Sequence, residues 1–164
     1  MNRGFCENCN ELVEFVEKEI NESCEIRGKE YKYKKIVGYC KKCNEEISSN
    51  EITDRNLKRI DDAFRTEEEI IKTNEIIDIL KKYKIGKKPL AKLLGWGEIT
   101  LIRYLNGDVP TKPYSDELYK ILLDVNYMEE LIEKNKDNIT QRAYENVKNA
   151  IKEIKQFSFC GNIQ

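Results

Sequence analysis

Two pairs of cysteines near the start of the chain constrain its fold more than any other feature. Cys6 and Cys9 form one Cys-x-x-Cys pair, Cys40 and Cys43 form another, and residues 10–39 separate them. Two residues between paired cysteines let both sulfurs of a tight turn point at one centre. Four thiolates arranged in this way can form a tetrahedral shell around Zn²⁺. The spacing therefore predicts one zinc site that joins the two pairs.

The residue after each pair supports this prediction. A left-handed backbone conformation is often needed after the second cysteine of such a turn, and Gly or Asn tolerates it. Asn10 and Asn44 occupy these two positions. Since four cysteines leave no open position for water, the predicted site is structural rather than catalytic.

Other chemistry is compatible with the same four cysteines. Iron in a rubredoxin-like site uses the same ligand set, and redox dithiols or disulfides are further alternatives. The chain begins at Met1 without an apolar signal-peptide run. We therefore expect a cytoplasmic protein, and a reducing compartment disfavours disulfides.

Composition argues against several classes of protein. The 164 residues suit one or two small domains, and no apolar run approaches the roughly 20 residues that span a bilayer. The chain has no histidine, which excludes Ser-His-Asp and Cys-His catalysis. It also lacks a glycine-rich phosphate loop of the Walker or Rossmann kind. We expect neither a membrane protein nor an enzyme.

Positive charge is concentrated in one segment. The whole chain has a formal net charge of −1, yet residues 74–113 carry eight basic and four acidic side chains. A local basic patch on an otherwise acidic chain is typical of a single element that contacts phosphates.

Between the cysteine pairs the sequence predicts a small antiparallel sheet. Residues 11–17 and 31–39 are rich in β-branched and aromatic side chains, and Gly28 suits a turn between them. Such a sheet is too small to bury a core of its own, so we expect the metal to stabilise it. Cys24 lies within it as an ordinary half-buried thiol, and Cys160 is not an expected ligand.

The predicted fold class is mainly α with a small β zinc domain. Residues 51–72 are helix-forming, and Thr66 is a candidate cap for a new helix whose first turn would hold acidic residues. The predicted domains are 1–66, which binds zinc; 67–126, which contains a helix-turn-helix; and 127–164, a C-terminal helical extension. Two amphipathic helices of that extension either pad the domain or form a dimer surface.

A helix-turn-helix is predicted within residues 76–107. The first helix has Ile76, Ile77, Leu80 and Tyr83 on one face. A short helix follows at 90–94, Gly95-Trp96-Gly97 forms the turn, and a third helix runs over 98–106. Ala91 is small where two helices would cross. A loop at 108–113 precedes a helix that Ser115 is expected to cap.

The outward face of the third helix suggests DNA recognition. In a major groove, Arg103 can donate to a guanine, Glu98 can accept from a cytosine amine, and Ile99 can pack on a thymine methyl. The predicted phosphate contacts are Lys87, Lys88, Thr100, Asn106 and Lys112. In the alternative interpretation these are solvated residues of a helical bundle, and Ile99 or Ile102 contacts a protein partner.

The order of these features resembles the MqsA (YgiT-type) antitoxins of bacterial type II toxin–antitoxin systems. That family combines two Cys-x-x-Cys pairs, a linker and a lambda-repressor-like helix-turn-helix. The matching stretches lie within residues 5–134 and are Cys6–Cys43, Ala63-Phe64-Arg65, Leu94-Gly95-Trp96-Gly97, Arg103-Tyr104 and Asn106-Gly107.

The resemblance implies a homodimer that binds a palindromic double-stranded operator and represses its own operon, while the zinc domain can bind a cognate toxin. In the family, an Asn four positions before the Arg reads DNA with it. Arg103 keeps the Arg, but Ile99 stands in place of the Asn, so the operator sequence does not carry over. The helices after Lys134 extend beyond the short family members, and similar longer proteins are paired with other toxins. The identity of the toxin therefore does not carry over either.

Two other functions remain open. A transcriptional regulator without a toxin would share the DNA site and use the zinc domain for structure or assembly alone. A metal-dependent redox or electron-transfer protein would need iron or reactive thiols, and one zinc per chain in a colourless protein would eliminate it.

Overall fold

The computed structural model describes residues 2–160, with side chains up to Phe157. It divides into two compact units, Met1–Glu68 (unit 1) and Glu69–Gln164 (unit 2). Unit 1 contains a four-stranded antiparallel sheet and one α-helix, and the described part of unit 2 is helical. The predicted fold class, mainly helical with a small antiparallel sheet and a helix-turn-helix, is confirmed. The side chain of Cys160 lies outside the described residues.

Unit 1 is built around a long hairpin. Its strands follow the order β1-β2-β3-β4 in the sheet, every neighbouring pair is antiparallel, and a helix, α1, follows them. The bounds are β1 (Arg3–Cys6), β2 (Glu11–Ile26), β3 (Lys29–Cys40), β4 (Glu46–Ile47) and α1 (Asn50–Glu67).

A two-residue turn at Arg27 and Gly28 joins β2 to β3. Arg27 and Gly28 have φ angles of 54° and 83°, and two positive angles at the centre of a two-residue turn match the twist of the flanking strands. The predicted turn at Gly28 is confirmed. Both strands are longer than predicted, and the difference is larger in β2. No strand was predicted over residues 18–26, because they are mostly polar and lack alternation. Their pairing with β3, from Lys18 opposite Val37 to Ile26 opposite Lys29, extends the strand.

The core of unit 1 is small and includes two of the cysteines. Its buried members are Cys6, Val13, Phe15, Ile36, Cys40, Ile47 and Ile52. At Gly4 an added Cβ would lie 2.7 Å from Ile47 Cγ2, so only glycine permits this close approach of β1. β1 therefore packs directly against the core at Ile47.

Helix α1 covers the outer edge of β3 with polar side chains. The Asn56 side chain accepts a hydrogen bond from the Ile36 N–H and donates one to the Ile36 carbonyl, both at 2.8 Å. Arg59 donates to the Lys34 carbonyl at 2.6 Å. The helix therefore satisfies backbone groups of β3 that a further strand would otherwise bind.

The predicted helix cap at Thr66 is wrong. Helix α1 continues through Glu67, and the Thr66 hydroxyl donates to the Asp62 carbonyl one turn earlier. The cap of α1 is Ser49, whose side chain accepts from the Ile52 N–H at 3.2 Å. No Gly or Pro interrupts this segment, so the helix continues past Thr66.

The described part of unit 2 packs six α-helices around one core. Apolar residues at helical spacing form the buried face of each helix. The helices are α2 (Thr73–Lys82), α3 (Lys87–Leu93), α4 (Glu98–Leu105), α5 (Lys112–Leu123), α6 (Val125–Lys134) and α7 (Gln141–Cys160), with a 3₁₀ turn at Lys136–Asn138.

The last two helices share the core of the helix-turn-helix. Met128 and Ile132 of α6, and Val147 and Ile151 of α7, belong to the same buried cluster as Leu101 of α4. Their packing supports the interpretation that the C-terminal pair completes this domain. None of the described helices combines the length and the apolar character that crossing a membrane requires.

Two local predictions in unit 2 are wrong. Ile77 is 36% exposed, and the buried face of α2 is formed by Ile76, Ile79 and Tyr83. Ser115 does not cap a helix, because α5 begins earlier at Lys112 and a proline in its first turn fits the helix. The fully buried Ser115 hydroxyl instead accepts a hydrogen bond from the Ile71 N–H at 2.7 Å.

Replacing Ser115 by alanine should destabilise unit 2 by about 1–2 kcal/mol, because it removes a buried acceptor. The only tryptophan of the chain, Trp96, lies in unit 2, so its fluorescence during urea denaturation reports on this unit. The matched control is Thr111→Ala, since Thr111 is exposed and makes no capping hydrogen bond. Equal losses in both variants would contradict a structural role for the Ser115 hydroxyl.

Candidate metal centre and nucleic-acid interface

The sheet brings the four paired cysteines to one end of unit 1. Cys6 ends β1 opposite Glu11 of β2, and Cys40 ends β3 opposite Phe15 of β2. Each strand is followed by a tight turn that carries the second cysteine of its pair. As a result, the four Sγ atoms all lie within 4.8 Å of one another.

The distances between sulfur atoms fit a four-coordinate metal ion. Cys6 Sγ lies 3.5 Å from Cys43 Sγ, and Cys9 Sγ lies 3.9 Å from Cys40 Sγ. A tetrahedral shell with metal–sulfur bonds of about 2.3 Å separates its sulfurs by about 3.8 Å. A disulfide would bring two sulfurs to about 2.05 Å, and these cysteines are free thiols. The geometry therefore supports a metal site rather than a disulfide pair.

Both turns have the backbone conformation that the sequence predicts. Asn10 and Asn44 have φ angles of 53° and 63°, which confirms the left-handed residue after each pair. Backbone N–H groups point at the sulfurs: that of Cys9 donates to Cys6 Sγ at 3.5 Å, and that of Lys42 to Cys40 Sγ at 3.3 Å. Such donors favour the thiolate form, which is the form that binds metal.

The pKa values of two neighbouring thiols, Cys43 and Cys9, are shifted in opposite directions. Hydrogen bonds, first from the Asn8 side chain and then from the backbone at Glu45, lower the pKa of Cys43 to about 6. The pKa of Cys9 is raised to about 12, first by its contact with Cys43 and then by burial. Adjacent thiolates repel one another, so a bound cation is needed for all four to ionise at neutral pH. Metal binding would therefore release protons.

Cys24 does not take part in this cluster. It lies in the distal part of the hairpin opposite Tyr31, and it is half-buried, as predicted. Among the described side chains, the group that could hold a metal consists of the four paired cysteines.

In unit 2, α3, a glycine turn and α4 form the helix-turn-helix. Gly95 has a φ of 68°, which confirms the prediction of a positive angle, and the Trp96 N–H donates to the Ala91 carbonyl at 2.8 Å. Ala91 is fully buried where α3 meets α4. The turn fixes where α4 begins, because Gly97 is its N-cap residue.

An aromatic cluster fixes the orientation of α4, and the sequence did not indicate it. Trp96 stacks on Tyr114 with ring centroids 4.3 Å apart, and Tyr104 of α4 packs edge-on against Trp96 at 6.1 Å. The turn residue Trp96 is thus buried, with 8% of its surface exposed. A lone tryptophan between two glycines was the available signal for a residue that packs under the turn.

The outer face of α4 presents an apolar and a basic side chain. Ile99 is 71% exposed, and the side chain of Arg103 is 68% exposed. Arg103 Nε donates to Asp108 Oδ2 at 2.7 Å, a contact that sequence reasoning missed. Asp108 lies just beyond the Gly107 turn that ends the helix, where its carboxylate reaches back to Arg103.

The other residues predicted to contact DNA differ in their partners and in their exposure. Glu98 pairs with Lys88 at 3.1 Å, so two of these side chains meet at the start of α4. Lys112 Nζ instead contacts the Glu69 carbonyl at 3.0 Å and Asp116 at 3.2 Å. Lys87 and Asn106 are exposed, and Thr100 is half-buried.

Removal of the metal should unfold unit 1 while leaving unit 2 folded, because the two units have separate apolar cores. Cys40→Ser should have the same effect as a strong chelator. Loss of strand signal in circular dichroism together with unchanged Trp96 fluorescence would show this. Cys24→Ser is the matched control and should retain one metal per chain. Simultaneous unfolding of both units on chelation would contradict the expectation.

A scan against protein-family models found no match for this chain, and a search of curated proteins found no match either.

Proposed function

We propose that the protein is a zinc-containing antitoxin of a type II toxin–antitoxin system that represses its own operon through α4. The observation that carries the DNA-binding part is the exposed face of α4, which follows a glycine turn and presents Ile99 and Arg103 to solvent. The antitoxin part rests on the resemblance of the whole arrangement to MqsA-type proteins. In both, a four-cysteine domain precedes a helix-turn-helix.

The contact between Arg103 and Asp108 supports a role in reading bases. Asp108 engages Nε of the guanidinium, and the end-on pair of N–H groups on Nη1 and Nη2 can still donate to another group. Two parallel N–H groups match the O6 and N7 acceptors of guanine in the major groove. A guanidinium already held by one carboxylate loses less side-chain entropy when it binds a base.

The basic surface of unit 2 would supply phosphate contacts rather than specificity. Lys87 and Lys88 lie in the first turn of α3, where backbone N–H groups also favour an anion. Because Glu98 and Asp108 neutralise two nearby cations, we expect moderate affinity that decreases steeply as salt increases.

Zinc is the metal that best suits the cysteine cluster. A shell of four thiolates is typical of structural zinc, and a closed shell supports folding without a catalytic role. Iron can use the same ligands, so metal analysis decides between them. In the proposed function the metal keeps unit 1 folded so that this unit can bind a cognate toxin.

A transcriptional regulator without a toxin partner is the second candidate. It is favoured by the same α4 geometry and differs only in the use of unit 1. The two candidates therefore share the DNA experiment and are separated by the toxin experiment.

Arg103→Ala should abolish the preference for one guanine position in the bound DNA. We would first select duplexes from a random library with the full chain, and then measure affinity for each single-base variant. A base contact should cost about 1–3 kcal/mol at that position alone. Lys152→Ala, at an exposed position of α7, is the matched control and should leave binding unchanged. A uniform loss across all sequences would make Arg103 a phosphate contact, and failure to select any sequence would contradict specific DNA binding.

Co-expression with each adjacent reading frame should identify one product that arrests growth and is neutralised by this protein. Arg103→Ala should still neutralise that toxin while failing to repress the promoter, whereas Cys40→Ser should lose neutralisation because unit 1 unfolds. Growth and co-purification measure the first property, and a promoter fusion measures the second. If no neighbour is toxic or retained, the regulator without a toxin is the better description.

A further inference from the structure

None of the described strands pairs with one edge of β2 over most of its length. β1 pairs with β2 only over Glu11–Glu14, and beyond Phe15 no other described strand lies on that side. Residues 18–23 are all exposed. The pairing of β2 with β3 runs one to one from Phe15 to Ile26, so no bulge turns this edge away from solvent.

The hydrogen bonds at the outer edge of β3 show which backbone groups of β2 point toward its free edge. The N–H and carbonyl of Ile36 both bind the Asn56 side chain, so they point away from β2. Ile36 lies opposite Glu19, and such a pair exchanges no backbone hydrogen bonds. The N–H and carbonyl of Glu19 must therefore point outward at the free edge. By the two-residue alternation, those of Glu17, Asn21 and Ser23 do the same.

An exposed row of outward donors and acceptors is a template for another strand. Natural edges are protected by proline, bulges or covering elements, and α1 covers the edge of β3 in this way. The free part of β2 contains no proline, and its charges suit pairing with itself, because Lys18 and Glu22 lie two residues to either side of Ile20.

We propose that β2 pairs antiparallel with β2 of a second copy of this chain, with the two-fold axis at Ile20. In this register Lys18 lies opposite Glu22 of the second copy, and Ile20 lies opposite its own counterpart. Val16, which is 41% exposed, lies opposite Cys24 of the second copy. The arrangement matches opposite charges twice and buries apolar side chains at the centre.

The backbone geometry is consistent with this register. Glu19 lies opposite Asn21 of the second copy, and Glu17 lies opposite Ser23. All four are the residues whose N–H and carbonyl groups point outward, so each pair can exchange two hydrogen bonds. Ile20, with 38% of its surface exposed, falls at a position where opposed side chains approach closely.

Neighbouring registers are disfavoured by charge. An axis at Glu19 would place this glutamate opposite itself. An axis at Asn21 would place Glu17 opposite Glu25 of the second copy. Since like charges directly across a sheet are destabilising, the axis at Ile20 is favoured over both.

Sedimentation velocity of the full chain over a range of micromolar concentrations tests the proposal. The wild type should show a reversible dimer. Lys18→Glu alone should weaken it about tenfold or more, because two attractive pairs become repulsive, and Glu22→Lys alone should do the same. An equimolar mixture of the two variants should dimerise again, since each contact in the mixed dimer joins an acid to an amine. Lys32→Glu, on the exposed part of β3, is the matched control and should leave dimerisation unchanged.

Each outcome bears on the proposal, which does not depend on DNA or toxin binding. A wild type that stays monomeric would overturn it, and so would a dimer that is indifferent to Lys18→Glu. A mixture that fails to restore the dimer would overturn the register. Circular dichroism and metal content, unchanged in every variant, would show that the exposed substitutions leave the fold intact.

Discussion

The closeness of four thiols is the constraint on which unit 1 depends. Seven buried residues form its core, and two of them are Cys6 and Cys40. The apolar packing and the candidate metal centre therefore share two residues. A sheet this small buries too little surface to fold by the hydrophobic effect alone, so we expect a bound metal ion to link the strand ends. Unit 2, with its larger apolar cluster, has no such requirement.

The sequence predicted those features that depend on local chemistry. Cys-x-x-Cys turns, Asn10 and Asn44, and the positive angle at Gly95 each follow from short-range geometry, and the structure confirms their conformation. These residues would have the same preference in a different fold, which is why their pattern is readable without one.

Features that depend on distant residues were not predictable in the same way. The outer part of β2 is a strand because β3 pairs with it, although its own side chains are polar. Ser115 has the composition of a helix cap, but it lies buried where it meets Ile71, forty-four positions earlier in the chain. Trp96 and Asp108 likewise acquire their roles from Tyr114 and Arg103. In each case the partner is fixed by tertiary packing, and no periodicity in the sequence reports it.

The polar cover that α1 provides for β3 also decides how far an assembly of sheets can grow. Asn56 and Arg59 occupy the backbone groups that a strand would need at that edge, so a chain has one edge open to another chain and one edge closed. When the open β2 edges of two chains pair about a two-fold axis, neither remains free. The combined sheet then ends on both sides at a β3 edge that α1 covers. Growth stops at two chains. Two side chains of one helix, Asn56 and Arg59, thus separate a closed pair from an open-ended fibre.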